Sequence, residues 1–388
     1  MPANLMRLPA ALLLGGLVVG GQALAAETLP EITVERIETE HHDLRLERIA
    51  SGLEHPWAVA PLPDGRFLVS ERPGRLALID TAGEVTHLDG VPDVSANGQG
   101  GLLDVVLHPG YGQGDSEHDW LYVTWSQAGN GGTATTLSRA RLDGDALVDV
   151  ETLFVQDRFS APGRHYGSRL AWLPDGTLLM SIGDRGRQPP RAQDRGDHAG
   201  SVLRLTETGG VPDDNPFVDD DGALDALYSR GNRNIQGMTV AADGRAWATE
   251  HGPLGGDELN LIEAGENYGW PEVSLGVDYS TRRPIGEASL PGMRDAVHVF
   301  DDRFAPSGLA EVQSERFPAW QGDLLAGGLR SELLRRLTLD GDRVVGNEVI
   351  LDGEIGRIRD VRQGRDGALY LLDDSPRGSL YRLVPADG

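Results

Sequence analysis

Five short segments collect the residue types that can do chemistry. Arg164-His165-Tyr166-Gly167-Ser168-Arg169-Leu170 carries a histidine, the side chain best suited to moving a proton near neutral pH. Gly183-Asp184-Arg185-Gly186-Arg187 follows, and a carboxylate there can orient an imidazole and raise its basicity. A lone histidine is more often structural, and Asp184 also suits the cap of a turn. Asn97-Gly98-Gln99-Gly100-Gly101 sets small and amide residues in a row, which suits close approach of backbone to a ligand or a plain turn. Arg230-Gly231-Asn232-Arg233-Asn234 packs guanidinium and amide donors that match carboxylates or quinone oxygens. His251-Gly252-Pro253 and Gly256-Asp257-Glu258 offer carbonyl and carboxylate oxygens of the kind hard cations take. Late in the chain, Arg330, Arg357 and Arg359 form either an anion pocket or a set of surface ion pairs. The run Asp219-Asp220-Asp221 lies in a turn-rich loop and reads as solvated.

These segments need a scaffold, and helical periodicity is nearly absent. A unit of turn, strand, loop and strand recurs instead. Leu62-Pro63-Asp64-Gly65 leads into Arg66–Ser70 and then Arg75–Ile79. Leu173-Pro174-Asp175-Gly176 leads into Thr177–Ser181 and, after a long loop, Ser201–Leu205. Asp243-Gly244 and Asp366-Gly367 open two more units, and looser copies lie around 108–142 and 320–337. Asp-Gly turns are natural entries to strands. Six units of this size predict an all-β fold, a six-bladed β-propeller with four-stranded antiparallel blades over residues 45–385. A blade covers its apolar faces by stacking on its neighbours, so the ring has an axis over which long loops converge. A large β-sandwich is the competing fold, and the regular return of the Asp-Gly turn argues against it.

The chain of 388 residues has no cysteine, which excludes thiolate metal sites and disulfides, and its formal net charge is −25. Such a field disfavours nucleic acid and anionic membranes. Arg7, the apolar stretch Leu8–Val19 and Ala23-Leu24-Ala25 predict a signal peptide over residues 1–25, followed by an extension over 26–44. The stretch is too short, and too broken by Gly15, Gly16, Gly20 and Gly21, for a spanning anchor. A periplasmic or secreted protein is expected.

Nine motifs in chain order resemble the soluble PQQ-dependent aldose sugar dehydrogenases of the glucose/sorbosone dehydrogenase family. They are Gly-Gln-Gly-Gly-Leu-Leu (98–103), His-x-Gly-x-Arg-Leu (165–170), Gly-Asp-x-Gly (183–186), Asp-Asn-Pro-Phe (214–217), Arg-Asn-x-Gln-Gly (233–237), Gly-Pro-x-x-x-Asp-Glu-x-Asn (252–260), Asn-Tyr-Gly-Trp-Pro (267–271), Ala-Pro-Ser-Gly (305–308) and Arg-x-Arg-Asp (357–360). Each is weak alone, and together they run across most of the chain.

The resemblance implies a six-bladed propeller holding pyrroloquinoline quinone (PQQ) and calcium. It implies oxidation of the C1 hydroxyl of aldoses to lactones, with hydride passing to PQQ and then electrons to a cytochrome or a quinone. His165 would be the base, Asp184 its support, and Gln99 would lie near substrate and cofactor oxygens. Arg233 and Asn234 would hold the quinone, with Arg330, Arg357 and Arg359 on its carboxylates or carbonyls. Calcium would sit on the carbonyls of Gly252 and Pro253, and Glu258 with the carbonyl of Tyr268 would hold a second, structural calcium. Ile235, Asn232 and Phe300 depart from the family pattern and are expected to alter the pocket wall. The stretch from Val277 to Val297 carries no readable motif. Nothing demands more than a monomer or weak dimer. Two other classes remain: a calcium-dependent propeller lactonase, which would need acids converging on a metal, and a non-catalytic sugar- or protein-binding propeller. The arginine cluster discriminates against both.

Overall fold

The computed structural model describes Met1, residues 30–300 and residues 303–386. Apart from Met1, the expected signal peptide lies outside the described residues, as do 26–29 of the expected extension. Among the described residues, helix is confined to three single 3-10 turns, and none is long and apolar enough to cross a membrane.

The recurring Asp-Gly unit has a local cause. In Leu62–Arg66 the Leu62 amide donates to the Arg66 carbonyl (2.8 Å), Gly65 takes a φ of 89°, and the Asp64 carboxylate accepts from the Arg66 amide (3.1 Å). Asp175, Asp243 and Asp366 accept from the amides of Thr177, Arg245 and Ala368 in the same way. Each turn joins the first strand of a blade to the second. The two strands visible in every sequence unit are therefore the second and third of four.

Among the described residues the sheets are six, each antiparallel, as the repeats predict. The innermost strands are Pro56–Pro61, Leu102–Leu107, Leu170–Trp172, Ile235–Val240, Pro306–Glu311 and Ile358–Gln363, and they ring the axis. The last sheet closes the ring. Its fourth strand is Asp43–Leu53, which pairs with Gly378–Pro385 in a register that sets Leu46 opposite Leu383. Strand Glu31–Glu38 pairs outside it as a fifth. The described part of the expected extension is therefore largely sheet. Adjacent blades stack face to face through apolar clusters, such as Leu68 and Leu76 against Leu103, Val105 and Leu121, all fully or almost fully buried. Burial of this kind is the main favourable term of the fold.

Polar groups seal the axis. Arg169, Asp104 and Asp360 are buried there; Arg169 lies 2.8 Å from Asp360 and 3.5 Å from Asp104, and Arg362 lies 2.8 Å from Asp104 and 3.1 Å from Asp360. Two guanidiniums against two carboxylates leave no net charge, the condition under which buried ions are tolerated. Arg169 also donates to the carbonyls of Gln236 (2.6 Å) and Arg359 (3.2 Å) and stacks 4.1 Å over the Trp57 ring. Gln236, Arg359 and Trp57 line the cavity above, so this network is its floor.

Candidate active site

A cavity of about 580 Å³ opens at the end of the propeller opposite the Asp-Gly turns. Its walls come from segments that enter the first strands (His55, Gln99, Asn234, Arg357) and from those that leave the second strands (Arg72, His251, Arg330, Asp374). Gln99, Asn234, Arg330, Arg357 and Arg359, all expected at the site, line it together.

His165 and Asp184 meet at the edge of this region. His165 Nδ1 and Asp184 Oδ1 are 2.6 Å apart. Asp184 Oδ1 also accepts from the Gly186 amide (2.6 Å), and Oδ2 accepts from the Trp270 indole (2.8 Å). Burial opposes ionisation of Asp184, but His165 and the Arg233 charge outweigh it and hold its carboxyl below the ordinary value. A carboxylate only accepts, so Nδ1 carries the imidazole proton. Burial pushes the His165 pKa down, against the pull of Asp184, and the imidazole is neutral at pH 7. Its Nε2 lone pair has no protein partner among the described residues. The backbone is fixed as tightly: the His165 amide donates to Gln99 Oε1 (2.8 Å), and φ at His165 is 53°. A side chain at Gly183 would strike the His165 carbonyl, 2.2 Å from where its Cβ would stand. Left-handed backbone at a non-glycine residue costs about 1–3 kcal/mol and is tolerated where the surroundings impose it.

The late arginines are less free than the sequence suggests. Arg359 and Arg357 both pair with Asp374, at 2.7 and 3.0 Å. Burial works against that charge, yet Arg359, His55 and Arg357 keep the Asp374 carboxyl far below the ordinary range. Arg359 Nε remains buried without a partner. The Arg330 guanidinium is exposed and has no protein partner among the described residues.

Arg233 does not line the large cavity. It donates to the His251 carbonyl (3.0 Å), stands 5.4 Å from the Trp270 ring, and borders a second cavity of about 10 Å³. That space has room for one ion or water. Glu250, Gly252, Glu258 and Tyr268 line it too. Glu250 and Glu258 face each other across neighbouring strands. Burial, then in Glu250 the charge of Glu258, pushes their carboxyls up to about 8 and about 7. Pro253 stands apart: its carbonyl accepts from the Tyr279 hydroxyl (2.7 Å), which ties the unread 277–297 stretch to the Gly-Pro turn. His251 joins the two cavities, and burial with the Arg233 charge pushes its imidazole down to about 3, so it is neutral and donates Nε2–H to the Pro306 carbonyl (2.6 Å).

Several site residues were not singled out by type and spacing. Trp270 lies in the Asn-Tyr-Gly-Trp-Pro motif, and its indole N–H, which needs a partner when buried, was the available signal. Glu250, Trp57, His55 and Asp374 sit on strands or turns with no unusual composition. The three departures do not line the large cavity. Ile235 is in an interblade cluster, Phe300 stacks on Phe304 at 4.5 Å, and Asn232 donates to Glu250 (2.8 Å).

The sequence matches the family described as Glucose / Sorbosone dehydrogenase over residues 53–382. It is 40% identical over 349 residues to the aldose sugar dehydrogenase YliI of Escherichia coli K12, covering 88% of this chain and 93% of that one. The apo-form crystal structure of the soluble aldose sugar dehydrogenase from Escherichia coli superposes with a TM-score of 0.84 at 36% identity, covering 88% of this chain and 99% of that one. The PQQ-bound form of the aldose sugar dehydrogenase from Streptomyces coelicolor gives 0.72 at 30% identity, covering 88% and 98%. The match spans residues 53–382, the stretch within which the histidine–aspartate pair and the arginine-lined cavity lie, and the chain belongs to the glucose/sorbosone dehydrogenase family.

Proposed function

We propose that this protein is an exported quinoprotein that oxidises the C1 hydroxyl of aldose sugars to the lactone, using PQQ and calcium. The observation that carries the reading is the neutral, aspartate-held imidazole of His165 beside a cavity whose walls supply arginines. The donor set fits both groups. PQQ is a tricarboxylate, and the cavity presents Arg330 unpaired, Arg359 with a buried Nε free, and Arg72 and Arg357 beside them. The turn at Gly252 offers carbonyl oxygen to the calcium that would face PQQ, and the facing carboxylates of Glu250 and Glu258 are hard oxygen donors of the kind a second, structural calcium takes. An acid-lined metal cage of the lactonase kind would not present these arginines.

When bound, PQQ supplies the acceptor for the C1 hydride, with calcium as the Lewis acid that polarises it. His165 Nε2 takes the hydroxyl proton, and Asp184 steadies the imidazolium that forms. Trp270 and the Gly186 amide keep Asp184 from turning away. Gln99 holds the His165 main chain in place and leaves its amide to face the cavity. Arg330 and Arg359 would hold the carboxylate oxygens of PQQ. The Trp57 floor excludes water from below.

The test is dye-linked glucose oxidation by purified apoprotein with PQQ and calcium together and each omitted in turn. Activity is expected only with both; a folded protein inactive on every aldose, and silent in a PQQ titration, sinks the reading. Arg330→Ala is expected to weaken PQQ binding about 10- to 100-fold, the worth of one charge-assisted hydrogen bond. Fluorescence titration checks this, and an unchanged affinity removes Arg330 from the cofactor site.

A further inference from the structure

Beside the His165–Asp184 pair, and sharing no lining residue with the large cavity, lies a hollow of about 310 Å³ lined by Arg158, Arg185, Arg187, Arg191, Ser160 and a few neighbours. Four guanidiniums around one space are unexpected in a chain with a net charge of −25. Their neutralisation is incomplete. Asp197 is shared: it lies 2.6 Å from Arg158 and 2.7 Å from Arg191. Asp194 stands 3.7 Å from Arg158. Counting both, and Asp184, whose charge also acts on Arg185, four positive charges face three negative ones, and the cavity keeps an excess of one.

Arg185 is the telling member. It is fully buried, yet the groups it touches are neutral: the carbonyls of Arg164 (2.8 Å) and Thr133 (3.4 Å), the Thr133 hydroxyl (3.0 Å) and the Tyr166 ring (3.6 Å from its centroid). Its Nε is buried with no partner at all. A φ of 61° holds it in this place. A guanidinium is costly to bury with no anion in contact, and Arg185 feels Asp184 only at a distance, so it is suited to a negative ligand. Arg187 is exposed and forms no ion pair among the described residues. The hollow also touches the reaction centre through the chain: Arg185 follows Asp184 directly, and its guanidinium is bonded to the carbonyl of Arg164, the residue before His165.

We propose that Arg158, Arg185, Arg187 and Arg191 form an oxyanion subsite, which takes the phosphate or carboxylate group of an anionic aldose whose C1 end is presented to His165. The substrate half rests on the aldose-oxidation reading above; the anion half does not. Two arms separate them. The first is calorimetric titration of the protein, with no cofactor added, with inorganic phosphate. Saturable binding at one site is expected, weakened at least tenfold in the double variant Arg158→Gln/Arg187→Gln. Both side chains are exposed, so the exchange spares the core. The second arm compares kcat/KM for glucose 6-phosphate and for glucuronic acid with that for glucose in the reconstituted enzyme. Wild type is expected to favour an anionic sugar, and the ratio of anionic to neutral sugar is expected to fall about tenfold in the double variant. Preference for the phosphate or for the uronic acid tells which oxyanion the site takes. No saturable phosphate binding, or binding that the double variant keeps, overturns the site. Phosphate binding with a ratio that the variant leaves unmoved overturns the substrate assignment. If phosphate binds as expected while no aldose is oxidised, the anion site stands and the oxidation reading fails.

Discussion

His165→Gln is expected to lower kcat for aldose oxidation by about 10²- to 10⁴-fold, the range in which a positioned base contributes, while PQQ affinity stays within a few-fold of wild type. The split follows from geometry. The imidazole touches Asp184 and nothing else in the protein that holds a cofactor, whereas the cofactor-facing walls are arginine and amide. Stopped-flow reduction and a PQQ titration, run side by side, read the two quantities separately. A large loss of PQQ affinity with chemistry intact reassigns His165 to cofactor holding. The acid limb of kcat/KM adds a second check. A base must be unprotonated, and burial lowers the His165 pKa despite Asp184. The limb is therefore expected below the ordinary histidine value of about 6.5. Asp184→Asn removes the acceptor that fixes the tautomer, so it is expected to cost a similar factor in kcat; a variant with wild-type turnover refutes the pairing.

That pair was legible in the sequence because both residues sit in short glycine-bounded motifs on either side of one strand pair. The fold was legible for a related reason: an Asp-Gly turn has a local cause, its own side chain bonding two residues ahead, and it repeats between the first and second strands of four of the six blades. What sequence could not give was pairing across the ring. Arg357 and Arg359 read as an anion pocket or as surface ion pairs, and Asp374, in an ordinary turn of the same blade, pairs with both. Arg169 lay in a motif without a role until the axis brought Asp104 and Asp360 to it from two other blades. Ring closure by Asp43–Leu53 joins chain ends more than 300 residues apart, and neither strand's composition announces its partner. Asn232, Ile235 and Phe300 looked like wall substitutions, but local context does not say which face of a blade a residue takes.

The second large effect concerns Glu250 and Glu258. Two carboxylates held opposite each other on adjacent buried strands repel once both are ionised, and the small cavity between their neighbours leaves room for one cation to relieve this. In calcium-free protein the sign is set by their raised values. A carboxyl whose folded pKa exceeds its unfolded value of about 4.5 contributes stability fully below that value and loses it as pH rises through the folded pKa, here about 7 to 8. The calcium-free Tm is therefore expected to fall between pH 6 and pH 9. Calcium competes with those protons, so its stabilisation grows over the same window. At a hundred times its Kd an ion adds about 2.7 kcal/mol, roughly 5 °C in Tm for a chain of this size, at the alkaline end. Glu250→Gln removes one of the two charges. It is expected to flatten the pH dependence of the calcium-free protein and to abolish most of the calcium shift, while Asn232 still finds an acceptor in the amide. Thermal melts at pH 6 and pH 9, with calcium and with chelator, decide the matter. A calcium shift that is the same at both pH values, or that Glu250→Gln leaves intact, places the ion elsewhere. In that case the Glu250–Glu258 pair is a proton-sharing strut between two adjacent strands of one blade rather than a metal site.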